Sequence, residues 1–205
     1  MPTRRRALAL LGGGLALAAA GPGRAAPIPL SEISAYLNGI GTARANFTQI
    51  NADGTLSTGT LHIRRPGRAR FDYDPPNPGL VIAGGGQVAI FDDKSNTAPE
   101  QFPLSRTPLS IILDSRVDLS RDRMVTAYRD EGTATSITAQ DPDNPGLGSI
   151  RLLFTADPVT LRQWVITDET GSETTVILNA FETGLALSPN LFSIRAELRA
   201  RGLLE

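Results

Sequence analysis

From Phe47 to Ala180, apolar and polar residues alternate with a period of two through one segment after another, and this rhythm constrains the fold more than any other feature. Side chains two residues apart share a face only in an extended strand, so the run predicts a long succession of half-buried strands. Residues 56–63 place Leu61 and Ile63 on one face. Residues 68–74 alternate cleanly, with Phe71 and Tyr73 on one side and Arg68, Arg70, Asp72 and Asp74 on the other. Residues 80–82 and 88–91 flank Gly84-Gly85-Gly86, which is a hairpin signal. Further strands are predicted over 124–128, 133–140, 149–156, 161–168 and 173–180, with Asp130-Glu131-Gly132, Asp157-Pro158 and Thr170-Gly171-Ser172 as turns. Phe192 and Ile194 read as the start of a last short strand.

Two segments break the rhythm. Residues 29–46 carry Ile33, Tyr36, Leu37 and Ile40 at helical spacing, with Ser31 as a candidate cap and Gly39 and Gly41 weakening the second half. Thr107 and Pro108 suit the cap and first position of a short apolar helix over 108–113. One helix, about ten or eleven strands and one short helix leave no βαβ alternation, so the expected fold is mainly β, a single curved antiparallel sheet. A sheet of that length curls into a barrel or half-barrel, with the two helices available to cover one face.

The N-terminus reads as a leader. Arg4, Arg5 and Arg6 precede a stretch of about 14 apolar residues, too short to span a bilayer, and Ala25 or Ala26 offers a cleavage position. This divides the chain into a signal peptide over 1–25, of the ordinary secretory or the twin-arginine kind, and one domain over 26–205 expected outside the cytoplasm. Losing residues 1–25 removes four Arg and no acid, leaving 16 basic against 21 acidic residues, a net charge of about −5. That balance disfavours nucleic acid and passive adsorption to anionic lipid. The chain has no Cys, so neither disulfides nor a lipidated N-terminal Cys enter the argument.

Catalytic signals are weak. His62 is the single His and lies opposite in parity to Leu61 and Ile63, facing solvent, so a zinc site or a Ser-His triad has too few members. The three glycines lack the Lys and helix of a phosphate loop. Asp92-Asp93 and the run Asp141-Pro142-Asp143-Asn144 suit either turns or a weak calcium site. No cofactor or metal is expected.

A family pattern runs through these segments. Phe47-Thr48-Gln49 resembles an F-x-Q opening, and Gly59 to Ile63 with Arg65-Pro66-Gly67-Arg68-Ala69-Arg70-Phe71-Asp72-Tyr73 resembles a "G-x-L-x-ϕ-x-R-P-x-x-x-R-W-x-Y" motif. The hairpin around the glycines, Thr107-Pro108-Leu109 with Leu113, the hairpin of Trp164 to Asp168 with Gly171 and Thr174, and Leu191-Phe192-Ser193-Ile194 follow in matching order. Together they resemble the LolA family of periplasmic lipoprotein carriers. Phe71 stands where that family usually has Trp, and Gly84-Gly85-Gly86 lacks its Asp.

The resemblance implies an incomplete β-barrel of about 11 strands closed by a helical lid, holding lipoprotein acyl chains in a hydrophobic cavity. It implies a monomer that takes acylated lipoproteins from an inner-membrane ABC transporter of the Lol type and hands them to an outer-membrane acceptor such as LolB. It also implies that Arg65 hydrogen-bonds lid carbonyls as a latch. Parity agrees, because Leu61, Ile63 and Arg65 share a face, and without a bulge Ala69, Phe71 and Tyr73 share it too. An inward Arg needs several acceptors. The expected cavity lining is Phe47, Leu61, Ile63, Phe71, Tyr73, Leu80, Ile82, Ile90, Leu109, Ile112, Leu113, Ile150, Leu152, Phe154, Trp164 and Ile166, each of which also suits ordinary core. The alternatives are a periplasmic lipid carrier or an envelope-stress sensor like RseB on the same fold. A sensor is expected to carry a further C-terminal domain, whereas this chain stops soon after Phe192.

Overall fold

A computed structural model describes residues 26–76, 78–92, 97–120 and 123–204, so the expected leader lies outside the described residues. Eleven antiparallel strands form one sheet in the order β6-β5-β4-β3-β2-β1-β11-β10-β9-β8-β7. The chain enters at the centre of this sheet. After α1 (Leu30–Gly39) come β1 (Thr42–Ile50), β2 (Leu56–Arg64), β3 (Arg68–Tyr73), β4 (Gly79–Gly84), β5 (Gln87–Asp92) and β6 (Glu100–Pro103), stepping outward to one edge. The link to the opposite edge holds a 3-10 turn (Leu104–Arg106) and α2 (Leu109–Leu113). From there β7 (Val125–Asp130), β8 (Thr135–Gln140), β9 (Ser149–Thr155), β10 (Thr160–Thr167) and β11 (Glu173–Thr183) step back until β11 pairs with β1. The edge strands β6 and β7 do not pair with each other, so the barrel is incomplete, as the resemblance implied.

The period-two reading of the strands holds, and it reaches further than expected. Ala43, Ala45 and Phe47 are buried in alternation, so the strand starts at Thr42 and the helix ends at Gly39 rather than near residue 46. Gly39 and Gly41, on either side of Ile40, leave little to carry the helix onward. The Ser31 cap is also corrected, since the N-cap is Pro29. At the glycine hairpin, Gly84 pairs with Gln87, and Gly85 and Gly86 both take positive φ, as a two-residue turn between twisted strands requires.

The concave face is covered by α1 and by the segment from Leu104 to Leu119. Ile33 and Leu37 of α1 and Ile111, Ile112 and Leu113 of α2 join Leu61, Ile63, Ile137, Ile150, Leu152 and Phe154 of the sheet in one buried core. Each such side chain, fully buried, contributes about 1.5–3 kcal/mol. Directional contacts fix the helices as well. Ser34 Oγ accepts from Leu119 N at 3.0 Å, Tyr36 Oη accepts from Leu161 N at 3.1 Å, and Asn38 exchanges two hydrogen bonds with the backbone of Val117 at 2.8 and 2.9 Å.

The C-terminal segment departs from expectation. Phe192 and Ile194 do not form a strand. Pro189–Phe192 is a 3-10 turn and Ile194–Ala200 is helix α3, with Ser188 Oγ and Ser193 Oγ accepting from Asn190 N and Ala196 N. These capping bonds offset the orphan N–H groups of two successive helix starts. Ile194 and Leu198, one helical turn apart, pack on a small second core of Leu80, Ile82, Ala89 and Phe91 on the outer face. Leu80 and Ile82 therefore do not line the concave cavity. Val81 faces it instead, because residues 80–82 are apolar on both faces and the next layer on each side decides which is which.

Candidate functional site

Between the sheet and the lid lies a cavity of about 640 Å³. Its wall holds Phe71 and Tyr73 of β3, Val81 of β4, Val88 and Ile90 of β5, Phe102 of β6, Trp164 and Ile166 of β10 and Val176 of β11. Thr107, Pro108 and Leu109 roof it at the start of α2. Of the residues expected to line it, Phe71, Tyr73, Ile90, Leu109, Trp164 and Ile166 do so. Leu61, Ile63, Ile112, Leu113, Ile150, Leu152 and Phe154 lie instead in the packed core under the helices. Phe47 sits behind the wall, edge-on to Phe71 at 5.6 Å and to Tyr73 at 5.1 Å, and Phe71 is in turn edge-on to Trp164 at 6.3 Å. Such T-shaped contacts each contribute about 0.5–1.5 kcal/mol beyond area burial and fix the ring orientations. Gly59, opposite Phe47 on β2, makes room for this stack, since a Cβ there would meet the Asp72 carbonyl oxygen and lie 2.8 Å from the Phe47 ring.

The polar lining was not foreseen. Gln49, Thr107, Thr170 and Thr174 contribute to it, with Arg106, Asp168 and Glu169. Gln49 Oε1 accepts from Tyr73 Oη at 2.8 Å, and Gln49 Nε2 donates to Asn51 Oδ1 at 2.6 Å. Burial raises the Tyr73 phenol pKa. Parity could have found Gln49, which is two residues beyond Phe47, but a polar residue gives no signal in a search for apolar faces.

Arg65 points inward from the end of β2 and spans both helices. Its Nε and Nη2 donate to the Asp114 carbonyl at 3.1 and 2.6 Å, just past α2. Its Nη1 donates to the Leu37 carbonyl in the last turn of α1, and its Nη2 reaches Asn38 Oδ1 at 3.3 Å. Both carbonyls belong to helix C-terminal ends, where unpaired acceptors concentrate negative potential. Gly67 N adds a bond to the Leu113 carbonyl at 2.7 Å. Burial lowers the guanidinium pKa and the Asp114 carboxylate opposes that shift. The planar fork of Arg suits carbonyls arriving from two directions, which a Lys point charge could not serve together.

Thr107 does not cap α2 with its side chain. Its Oγ1 donates back to the Leu104 carbonyl at 2.9 Å, while its own carbonyl accepts from Ser110 N at 3.0 Å. His62 lies on the outer face as parity predicts, but its side chain is only 18% exposed rather than solvent-facing, because Arg44 and Arg70 flank it on the neighbouring strands. The Asp141 carboxylate accepts from Asp143 N, Asn144 N and Asn144 Nδ2, which is turn chemistry. Asp93 lies outside the described residues.

A family model described as outer membrane lipoprotein carrier protein LolA matches residues 38–195. An outer-membrane lipoprotein carrier protein of Leptothrix cholodnii is 29% identical, with 94% of each chain covered. One from Methylococcus capsulatus is 25% identical over 80% of this chain and 82% of its own. Among solved structures, a putative outer membrane lipoprotein-sorting protein domain from Vibrio parahaemolyticus superposes with a TM-score of 0.50, covering 81% of this chain and 95% of its own at 11% identity, a likeness of fold.

Proposed function

This chain belongs to the LolA family of outer membrane lipoprotein carriers, and on that premise we propose that it shields lipoprotein acyl chains in the cavity under α2 and ferries them across the periplasm. The observation that carries the reading is an apolar chamber roofed by a helix whose end is tied to the sheet through one side chain, Arg65. Each buried methylene is worth about 0.8 kcal/mol, so an acyl chain of ~16 carbons cannot cross water unaided. The carrier must offer an apolar surface and later withdraw it.

The placement of the cavity supports a moving lid. It takes up about 640 Å³ over one part of the concave face, and side chains of α1 and α2 fill the rest. A cargo larger than the cavity enters by displacing those side chains. Arg65 opposes that displacement and favours reclosure, so it acts as the latch of the empty state.

In this reading residues 1–25 are a leader, residues 26–205 are the carrier domain, and the protein acts as a monomer in the periplasm. Among the described residues no helix is long and apolar enough to cross a membrane. The donor would be an inner-membrane ABC transporter of the Lol type, which supplies the ATP, and the acceptor an outer-membrane protein such as LolB. The family is one of carriers, and the reading assigns the chain no catalytic residue.

The test adds purified protein to spheroplasts making a tagged outer-membrane lipoprotein. The tag should appear in the soluble fraction as a one-to-one complex with this protein. If no tag is released while phospholipid co-purifies with the protein, the cargo is lipid rather than lipoprotein. An empty protein in both experiments removes the carrier reading.

A further inference from the structure

The cavity changes character at its opening. Its inner wall is apolar, while its exposed rim carries Arg106, Asp168 and Glu169. These come from two facing places. Arg106 ends the 3-10 turn that leads into α2, and Asp168 and Glu169 follow β10 in the turn to β11. Arg106 Nη2 and Glu169 Oε2 approach to 3.8 Å across the opening, each side chain 62% exposed. Asp168 Oδ1 accepts from Thr170 N at 2.8 Å, Thr170 Oγ1 at 2.7 Å and Ser172 N at 3.0 Å. Those bonds lower the carboxyl pKa and keep it ionised. Arg106 offsets one carboxylate, so the charged groups of the rim sum to one negative charge.

We infer that this rim selects occupants by head-group charge, admitting acyl chains whose polar end is uncharged and disfavouring anionic amphiphiles. The inference rests on the acyl-binding reading above. Chains joined to a protein by ester or amide bonds bring no charge to the rim. A fatty-acid carboxylate or an acidic phospholipid with its tail in the same cavity sets an anion beside Asp168 and Glu169. Through water, unit charges about 6 Å apart alter affinity about threefold. At 1 M salt the screening length falls to ~3 Å and the preference vanishes. A rim of this sign tilts the chamber toward tethered chains and away from anionic amphiphiles by that modest factor.

The experiment compares a fluorescent fatty acid at pH 8 with the same labelled chain ending in a primary amide, titrated into the purified protein below the micellar range of either probe. At low salt the amide should bind about threefold more tightly, the two should converge in 1 M salt, and Glu169→Lys, which makes the rim net positive, should invert the order. Equal affinities at low salt overturn the inference, as does a preference that survives either 1 M salt or Glu169→Lys. If neither probe enters the cavity, the acyl-binding reading fails and the inference falls with it. Probe binding without selectivity sinks the inference alone.

Discussion

Replacing Arg65 with Leu should make the protein hold acyl ligands more tightly. In the closed form the guanidinium donates to the Asp114 and Leu37 carbonyls and to Asn38, linking β2 to both helices. A hydrogen bond from a charged donor contributes about 1.5–3 kcal/mol when shielded. The bonds to Asp114 are exposed, which reduces their worth, so about 2 kcal/mol for the whole latch is a fair working value. A ligand that enters only the open form has its affinity reduced by the fraction of protein that is open. Removing 2 kcal/mol from the closed state raises that fraction, and the affinity with it, up to about 30-fold. Leu fills part of the space without supplying donors. Arg65→Lys keeps the charge but not the fork and should fall between the two. Titration of a fluorescent probe with several acyl chains, too large for the closed cavity, gives the affinity, and transfer of bound probe to acceptor vesicles gives the release rate, which should drop in parallel. An Arg65→Leu protein that melts normally but binds and releases the probe as the wild type does would refute the latch.

Three further outcomes follow from particular contacts. Gly59→Ala should destabilise the fold by about 2–4 kcal/mol, because the new methyl meets the Asp72 carbonyl and the Phe47 ring, neither of which can move freely; an unchanged denaturant midpoint would contradict the packing described. Trp164 is the single Trp and lies on the cavity wall, so an acyl chain brominated near its tail should quench the intrinsic fluorescence, and quenching absent under saturating binding would place the ligand elsewhere. His62 has its pKa lowered by burial, with the Asp72 carboxylate opposing and Arg44 and Arg70 adding to the shift, and its Nδ1 lies 3.7 Å from Asp72 Oδ2 without a hydrogen bond. The unfolded chain then binds the proton more readily, so this contribution to stability is complete above about pH 6.5 and is lost as pH falls through the lowered value; melting between pH 8 and 5 should decline less steeply in His62→Gln.

Much of this protein is legible in the order of its residues. The period of two runs without interruption through residues 68–74, and it placed Phe71 and Tyr73 on the same face as Leu61 and Ile63, where β2 and β3 pair Leu61 with Phe71 and Ile63 with Ala69. The same parity turned Arg65 inward, since strand geometry allows a residue no third direction. What the tertiary structure alone decided is which inward residues are packed and which remain beside empty space. Leu152 and Phe154 face the same way as Trp164, yet α1 and α2 fill the space over the first two and stop short of the third. Leu80 and Ile82 belong to a run apolar on both faces, and only the docking of Ile194 and Leu198 from α3 assigns them to the outer layer. Arg106 lies more than sixty residues before Asp168 and Glu169, and it approaches Glu169 only because pairing of β1 with β11 brings the two halves of the sheet together. Periodicity records which way a side chain points, because that is fixed by its own backbone. Whether it meets a neighbour, a ligand or water depends on elements that arrive from elsewhere in the sequence, and those meetings are settled only by packing.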